Sequence, residues 1–464
     1  MKFLLISIVV FIAFNSTVIF AQDTPPSDDP FAELEKEINS FENEGSASDI
    51  EEFQQWKSDY LAEYQKFRME HFKRVDDIRD NLISLWGESE VSSASKYIEY
   101  SEDKKTKTTV DFENNELRIS VLHNEGEKVN QESVIDSLKD MAGSSSNNAT
   151  LSQIIGKPLT ANSAESLVKR SKVSQESTAL IKNEKKLISK EINLIEEQSQ
   201  AQRSQIDKMY DLVSLDSLDT EDVAKETEKS IKQEKAQIEK EKHVRIASLQ
   251  AKTAKLNNSK KRDALKNKKI TIYTMPLGNK KDLAKAKPYI ANVKIQSDRW
   301  ELSPSLLLAI MHTESYFNPK AQSHIPAFGL MQIVPRSAGI DVNRFLYKKD
   351  EAMTDSYLFQ SDKNIETGVA YMHILNSRYL RKITNPESRM YCMIAAYNTG
   401  SGNVAKTFNK DGSRNINRAA KIINELSPKE VYEHLLINLP YDETKDYVKR
   451  VVKRKGIYTP VDSI

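Results

Sequence analysis

The sequence predicts an α+β fold that is predominantly helical. Apolar residues recur at helical spacing over most of the chain, whereas alternation of apolar and polar residues is confined to residues 109–121 and 269–276. Charged residues make up 29% of the 464 residues, which indicates that part of the helical sequence is solvated rather than packed in a core. A chain of this length accommodates two or three domains.

The N-terminus has the pattern of a secretory signal. One lysine precedes a short apolar run, and Ala21 ends the segment. We therefore expect a signal peptide at residues 1–21 and a disordered leader at 22–30. The alternative is an uncleaved signal that anchors the chain. Cys392 is the single cysteine and lies in an apolar helical run. Because there is only one, no intramolecular disulfide can form. No cysteine stands directly after Ala21, where a lipid would be attached.

Residues 31–278 are expected to form an N-terminal α+β domain. Aromatic residues at helical spacing come first, and residues 109–121 then alternate about a pair of asparagines, which is typical of a β-hairpin. Residues 269–276 alternate in the same way. Because an isolated hairpin is only marginally stable, we expect this late strand to join the early sheet.

Residues 160–265, within that domain, are rich in Lys, Glu, Gln and Ser. Isoleucines recur at helical spacing on both sides of a polar break at residues 214–221, which predicts two long helices that form a helical hairpin arm. The heptads are too irregular for an oligomerising coiled coil. Two interpretations stay open: a solvated arm, or an arm that binds a protein partner.

Glu314 lies on the apolar stripe of a predicted helix that begins at Ser303 and Pro304. Burial and the negative end of the helix dipole both disfavour the ionised carboxylate, so we expect a raised pKa, as a general acid requires. The alternative is a structural carboxylate that pairs with an arginine or caps a backbone group. The residues that define the stripe are Leu307, Ile310 and Met311.

The region from 283 to 455 contains four distinctive segments. They are His312-Thr-Glu-Ser-Tyr-Phe-Asn-Pro, Ser323-His-Ile-Pro-Ala-Phe-Gly-Leu-Met-Gln332, Ala395-Ala-Tyr-Asn-Thr-Gly-Ser-Gly402 and Leu439-Pro-Tyr-Asp-Glu-Thr-Lys-Asp-Tyr-Val448. Each is weak evidence alone, but in this order they resemble the catalytic domain of the lytic transglycosylase family, which has a lysozyme-like, mostly helical fold. The segments at Tyr97 and Val110 are also similar to the N-terminal domain of a membrane-bound member of that family.

The resemblance implies roles for a set of residues. The catalytic acid/base of the family falls on Glu314, and the tyrosine that orients this acid falls on Tyr447. Thr399 departs from the family pattern, in which a small residue is commoner, and the lipid-accepting cysteine of the membrane-bound members is missing. Substrate-binding positions of the family fall on Ser323, Met331, Gln332, Tyr371, Tyr397 and Asn398.

Most glycosidases use two carboxylates, and the motifs here supply one. A single carboxylate suffices only if the substrate carries its own nucleophile, as peptidoglycan does. The resemblance therefore implies a lyase of cell wall turnover that cleaves between N-acetylmuramic acid and N-acetylglucosamine and forms a 1,6-anhydromuramyl product. The other nearby acids lie in polar stretches and are interpreted as surface residues: Asp341, Asp350, Asp355 and Glu366.

Two other functions stay open, a muramidase-type hydrolase and a murein-binding scaffold that acts through the arm. The expected partner is the peptidoglycan glycan strand, in the periplasm, with peripheral association to the outer membrane as a further alternative. A net charge of +1 gives no reason to expect nucleic acid. We expect no cofactor and no metal site, because the pair at His312 and Glu314 lacks the second histidine of the zincin pattern.

Overall fold

The computed structural model describes residues 47–143, 161–213, 221–257, 259–277, 282–323, 326–349 and 351–463. The predicted signal peptide and leader lie outside these ranges, as does Asp350. The chain divides into two compact units, one with the described residues up to Val75 and Leu212–Ser230, the other with Asp76–Asp211 and Ile231–Ile464. Every tertiary contact below lies within the second unit. In the described ranges, no helix combines the length and apolarity needed to span a membrane.

The N-terminal part contains six helices and five strands in the described residues. In chain order they are α1 (Ala47–Trp86), β1 (Lys96–Tyr100), β2 (Thr106–Asp111), β3 (Glu116–Asn124), α2 (Gln131–Gly143), α3 (Ala161–Lys169), β4 (Lys172–Ser177), α4 (Ala179–Val213), α5 (Glu221–Asn257), α6 (Lys260–Lys266) and β5 (Lys268–Pro276).

The C-terminal part is mainly helical in its described residues, with a loop between Ser315 and Ala338 that contains two isolated β-bridges. Its helices are α7 (Asp282–Ala286), α8 (Ile290–Trp300), α9 (Pro304–Ser315), α10 (Ala338–Tyr347), α11 (Asp355–Leu358), α12 (Ser361–Ile374), α13 (Pro386–Thr399), α14 (Ser401–Phe408), α15 (Ile416–Ile423), α16 (Pro428–Asn438) and α17 (Asp442–Tyr458), with 3-10 turns at Lys287–Tyr289 and Thr459–Val461 and a π-helical turn at Leu375–Tyr379. Together with the small sheet they confirm the predominantly helical α+β fold.

The five strands form one antiparallel sheet in the order β1-β2-β3-β5-β4. β2 and β3 form the predicted hairpin, and Asn115 in its turn has a left-handed φ of 57°. β5 pairs with β3 along its length, with Ile119 opposite Tyr273, so the prediction that the late strand returns to the early sheet is confirmed. Apolar side chains of β2, β3 and β5 form a core with α2 and α3.

The helical arm begins later than predicted. α4 and α5 confirm the two long helices, but residues 161–177 form α3 and the edge strand β4, so the helical interpretation of that stretch is wrong at β4. Val173 is the sole apolar residue of β4, and the strand is almost entirely exposed, so it shows no apolar alternation. α4 and α5 are also not solvated on all sides, because Leu187 and Leu249 pack with Ile83 at the end of α1.

α9 is the central helix of the C-terminal part. Ser303 caps it as predicted, because its side chain accepts a hydrogen bond of 3.2 Å from the backbone N–H of Leu306. All residues of α9 from Ser305 to Thr313 are buried, not only the predicted stripe. α9 is therefore enclosed on every face, with α17 packed along it. Glu314 is half-buried, at the end of the helix, where the core meets a polar surface.

Candidate active site

Glu314 is the centre of the candidate active site. Its Oε1 accepts a hydrogen bond of 2.7 Å from the hydroxyl of Tyr447 in α17. Burial raises the pKa of Glu314 to about 7, as the sequence predicted. The hydrogen bond from Tyr447 and the cations Lys208 and Arg450 oppose this rise, and the carboxyl of Glu443 adds to it. Near neutral pH both protonation states are populated, so the group can donate a proton and take one back.

Buried tyrosines surround this carboxyl. Burial and the neighbouring Glu314 carboxyl raise the pKa of Tyr397 and of Tyr447 well above the usual value, so both hydroxyls stay protonated and act as donors. The Tyr397 hydroxyl donates to the carbonyl oxygen of Met331 at 2.7 Å. The ring of Tyr371 lies 5.6 Å from that of Tyr397, centroid to centroid, at an interplanar angle of 57°.

A buried asparagine holds the loop that precedes Gln332. The Oδ1 of Asn364, in α12, accepts from the backbone N–H of Met331 at 2.8 Å. Its Nδ2 donates to the carbonyl oxygens of Phe328 and Leu358, each at 2.8 Å. Sequence reasoning missed Asn364. The sequence did contain one signal: Asn364 is a polar residue seven positions before Tyr371, and therefore on the same helical stripe.

Gly329 in this loop tolerates no side chain. Its φ is +75°, and an added Cβ would lie 2.5 Å from the Leu358 carbonyl oxygen and 2.4 Å from Asn364 Nδ2. We expect Gly329→Ala to lower the free energy of unfolding by about 1–3 kcal/mol. Urea denaturation measures this. Gly412→Ala is the matched control, because Gly412 has a φ of +72° with open space around it. Equal losses in the two variants would contradict the steric argument.

Gln332 has a buried side-chain oxygen and a left-handed backbone conformation. With φ at 49°, its Nε2 donates to the carbonyl oxygens of Ala321 at 3.1 Å and Gly329 at 2.9 Å. Its Oε1 is buried and accepts no hydrogen bond from any residue in the described part of the chain. A buried acceptor left in this state is expected to have a partner in the bound complex.

Met331 and Ser323 differ in what they contribute. The Met331 side chain is fully buried and packs against Gly368, where an added Cβ would lie 2.3 Å from its sulfur. Its backbone carbonyl accepts the hydrogen bond from Tyr397, and contact of the Met331 side chain with a substrate stays a prediction. Ser323 is half-buried, and its N–H donates to the carbonyl oxygen of Ala327 at 3.1 Å.

A hydrogen bond links Asn398 to α17 close to Glu314. The half-buried Asn398 accepts, through Oδ1, a hydrogen bond of 2.7 Å from the hydroxyl of Thr444. Thr444 lies one helical turn before Tyr447, so the same face of α17 holds both the amide and the acid. Sequence reasoning missed Thr444, although its spacing of three residues from Tyr447 was visible.

The other described acidic residues near Glu314 in sequence lie in ordinary surface environments, and Glu443 is a further acid close to the site. Glu366 pairs with Arg299 at 3.1 Å and Lys363 at 3.4 Å. Asp341 and Asp355 lie in the first turns of α10 and α11, where acidic residues are favourable. Glu443, which the sequence did not single out, is the acid that acts electrostatically on Glu314. Glu443 is exposed on α17, and partial desolvation of its carboxyl raises its pKa as well, against the opposing charges of Lys208 and Arg450.

The helical arm also reaches this site. The Nζ of Lys208, in α4, donates to the carbonyl oxygen of Tyr397 at 3.0 Å. The hydroxyls of Ser204 and Thr399 lie 3.4 Å apart. The arm thus touches the same end of α13 that carries the tyrosine and amide of the predicted motif.

Two family models match the chain. "Transglycosylase SLT domain" matches residues 291–420, and "Membrane-bound lytic murein transglycosylase C, N-terminal domain" matches residues 65–154. The first range contains Glu314 and all the predicted substrate-binding residues, but not Tyr447. The resemblance to lytic transglycosylases predicted from the sequence is thereby confirmed.

Curated relatives support the same resemblance. The chain is 45% identical over 174 residues to membrane-bound lytic murein transglycosylase C of Cronobacter sakazakii, which covers 38% of this chain and 47% of the relative. It is 42% identical over 175 residues to the protein of that name from Actinobacillus pleuropneumoniae, covering 38% and 46%. The chain thus spans about half the length of the curated relatives it matches.

Among solved structures, an inactive mutant of the lytic transglycosylase Slt from Pseudomonas aeruginosa is similar over 37% of this chain and 24% of its own, with 27% identity and a TM-score of 0.28.

Proposed function

We propose that this protein is a peptidoglycan lytic transglycosylase that cleaves the bond between N-acetylmuramic acid and N-acetylglucosamine and leaves a 1,6-anhydromuramyl end. The observation that carries the proposal is the pairing of Glu314, whose pKa burial raises to about 7, with the hydroxyl of Tyr447. The matched SLT range around Glu314 supports the same reaction. We further propose that the protein acts in cell wall turnover in the periplasm, where it associates with the outer membrane.

The reaction needs one group that acts twice. Protonated Glu314 gives its proton to the glycosidic oxygen as the bond from that oxygen to C1 of the muramyl residue breaks. The 2-acetamido group of the muramyl residue stabilises the cationic C1. The ionised Glu314 then takes the proton of the C6 hydroxyl of the same muramyl residue, while the oxygen of that hydroxyl bonds to C1. No water is consumed, and Glu314 is protonated again.

The surrounding residues orient the carboxyl and the sugar. Tyr447 donates to one oxygen of Glu314 and leaves the other for the substrate. The free acceptor of Gln332 suits an acetamido N–H or a sugar hydroxyl. Asn398, with its oxygen already engaged by Thr444, offers its N–H₂ group as donor. Tyr371, Ser323 and the Tyr397 ring are the remaining groups that we propose contact the glycan.

The test is the mass of the released products. Purified protein incubated with murein sacculi is expected to release soluble muropeptides with anhydromuramyl ends, which lack the water that hydrolysis adds. Products with reducing ends would contradict the proposal and identify a hydrolase. Binding without release would favour the scaffold.

A muramidase-type hydrolase is the second candidate, and the position of Glu443 favours it. Glu443 lies one helical turn before Tyr447 and acts electrostatically on Glu314. Two carboxyl groups are what a hydrolytic mechanism requires. In that case Glu443→Gln would abolish release, whereas in a transglycosylase it would change the rate without changing the anhydro product.

Tyr447→Phe tests the orientation of the acid. Loss of the hydrogen bond, which lowers the pKa of Glu314, should raise that pKa further. Because the reaction starts from the protonated form, activity falls as pH rises through this pKa, and the variant should keep its activity to higher pH. Turnover should fall roughly 10- to 150-fold, since a hydrogen bond to a charged group contributes roughly 1.5–3 kcal/mol.

The measurement is the pH dependence of product release. Tyr391→Phe is the matched control, because the Tyr391 hydroxyl donates to the surface carboxylate of Glu387 at 2.7 Å. An unchanged pH profile in Tyr447→Phe would show that the tyrosine does not act on the acid.

A further inference from the structure

We propose that the helical arm is part of the active site and that Lys208, which α4 brings to it, is a positioning residue for Glu314. The inference rests on the proposed function, since it concerns the same acid. The arm lies between the two ranges matched by family models, 65–154 and 291–420, and in neither of them.

A buried carboxylate fixes the arm to the catalytic region. The side chain of Asp207, in α4, is fully buried. Two of its partners are cations: Lys235 from α5 at 2.7 Å and Arg414 at 3.0 Å. Asn403 donates at 2.9 Å and the Tyr441 hydroxyl at 2.8 Å. Three of these four partners belong to the C-terminal part, so α4 is bound to it at one defined point.

Asp207 also fixes the position of the next residue, Lys208, at the site. Lys208 follows Asp207 directly, and its ammonium donates to the carbonyl oxygen of Tyr397. That carbonyl belongs to the peptide group that links Tyr397 to Asn398. A lysine held at both its backbone and its ammonium has few conformations left, so its charge has a defined position.

α4 presents a polar face to this part of the site. Ser204 and Lys208 are one turn apart, and Glu197 lies two turns before Ser204, so the three share one face of the helix. Ser204 meets Thr399, and Glu197 acts electrostatically on Glu443. An ordinary packing face would be apolar at these positions.

The positive charge of Lys208 would stabilise the ionised form of Glu314 during the reaction. When Glu314 gives up its proton, a carboxylate is left in a largely desolvated place, and a nearby positive charge stabilises it. The groups that face Glu314 come from three helices: Tyr447, Glu443 and Arg450 of α17, Tyr397 of α13, and Lys208 of α4. Of these, Lys208 is the charge that the arm supplies.

The experiment replaces Lys208 in the full chain. Lys208→Met removes the charge, Lys208→Gln does so with a polar group, and Lys208→Arg keeps it. Lys186→Met is the matched control, because Lys186 is an exposed lysine of the same helix, about 33 Å away. Release of anhydro-muropeptides from uncross-linked glycan strands is followed against pH. The ionisation of Glu314 is followed separately by ¹³C NMR of glutamate-labelled protein, with Glu314→Gln to assign the signal.

The expected result is a rise of about 0.5–1 unit in the pH at which Glu314 ionises in Lys208→Met and Lys208→Gln, with the alkaline limb of activity moving equally. Turnover should fall severalfold with little change in KM, and Lys208→Arg and Lys186→Met should match the wild type. An ionisation midpoint unchanged in both uncharged variants would overturn the inference. If the wild type released no anhydro products while the NMR midpoint still moved, the proposed function would fail and the position of Lys208 would stand.

Discussion

Glu314→Gln is expected to reduce turnover by roughly 10²–10⁴-fold, the usual worth of general acid-base catalysis. The amide keeps the shape of the carboxyl and still accepts the hydrogen bond from Tyr447, but it has no proton to give to the glycosidic oxygen. Soluble anhydro-muropeptides released from sacculi measure the loss. Glu425→Gln, an exposed glutamate of the same part of the chain, should leave the rate unchanged. Retention of wild-type release by Glu314→Gln would refute the mechanism.

The same substitution should change stability in the opposite direction. Because the pKa of Glu314 is raised above the ordinary value of 4.5, the folded state holds a proton that the unfolded chain releases between pH 4.5 and about 7. Stability therefore falls as pH rises through this interval, where the buried carboxylate forms. We expect Glu314→Gln to raise Tm relative to wild type at pH 8 more than at pH 5. A loss of Tm at both pH values would indicate a structural role for the carboxylate instead.

The raised pKa of Glu314 could be predicted from local sequence, although the burial of its helix was only partly foreseen. The stripe of Leu307, Ile310 and Met311 placed a carboxyl at a buried helix end, and the structure shows the raised pKa that follows. The sequence pattern did not show that Leu306 and Leu308 are buried too. A helix enclosed on all sides has no single apolar face, and only the contacts of α9 with its neighbours reveal this.

The supporting contacts could not be predicted, because they join residues far apart in the chain. Asn364 fixes the loop before Gln332 from more than thirty positions away, a separation that no helical or strand period encodes. The strand β4 was missed for a different reason. It is an edge strand with polar side chains on both faces, so neither alternation nor an apolar run marked it.

The contacts of the helical arm could not be predicted from its local sequence either. Its composition favoured solvated helices, because Lys, Glu and Gln dominate it. Asp207 and Lys208 look like ordinary surface charges in that context. Hydrogen bonds to Asp207 from Arg414 and Tyr441, which lie some two hundred residues later, instead hold this segment against the C-terminal part. The charge composition of a segment predicts that its side chains are exposed on average. It cannot identify the few charged side chains that are buried in ion pairs with residues distant in the sequence.

Asp207→Ala is therefore expected to be strongly destabilising. Burial alone would raise the pKa of Asp207, but Arg414 and Lys235 outweigh it and hold the pKa below its usual value. Removal of the carboxylate breaks its ion pairs with the half-buried Lys235 and Arg414, and the loss of a fully buried charge from such a network costs about 3–5 kcal/mol of the free energy of unfolding. Urea denaturation measures the loss. Asp263→Ala, which removes an exposed pairing with Lys266, should leave the urea midpoint unchanged.

The pH dependence of this effect identifies its origin. A depressed pKa contributes stability that is present above the ordinary aspartate pKa of 3.8 and is lost as pH falls through the lower folded value. The difference between wild type and Asp207→Ala should therefore be full at pH 6 and shrink in acid. If the arm is held at the site by this carboxylate, Asp207→Asn should also reproduce the shift in Glu314 ionisation expected for Lys208→Met. A variant that lost stability but kept the wild-type ionisation of Glu314 would show that Asp207 supports the fold without positioning Lys208.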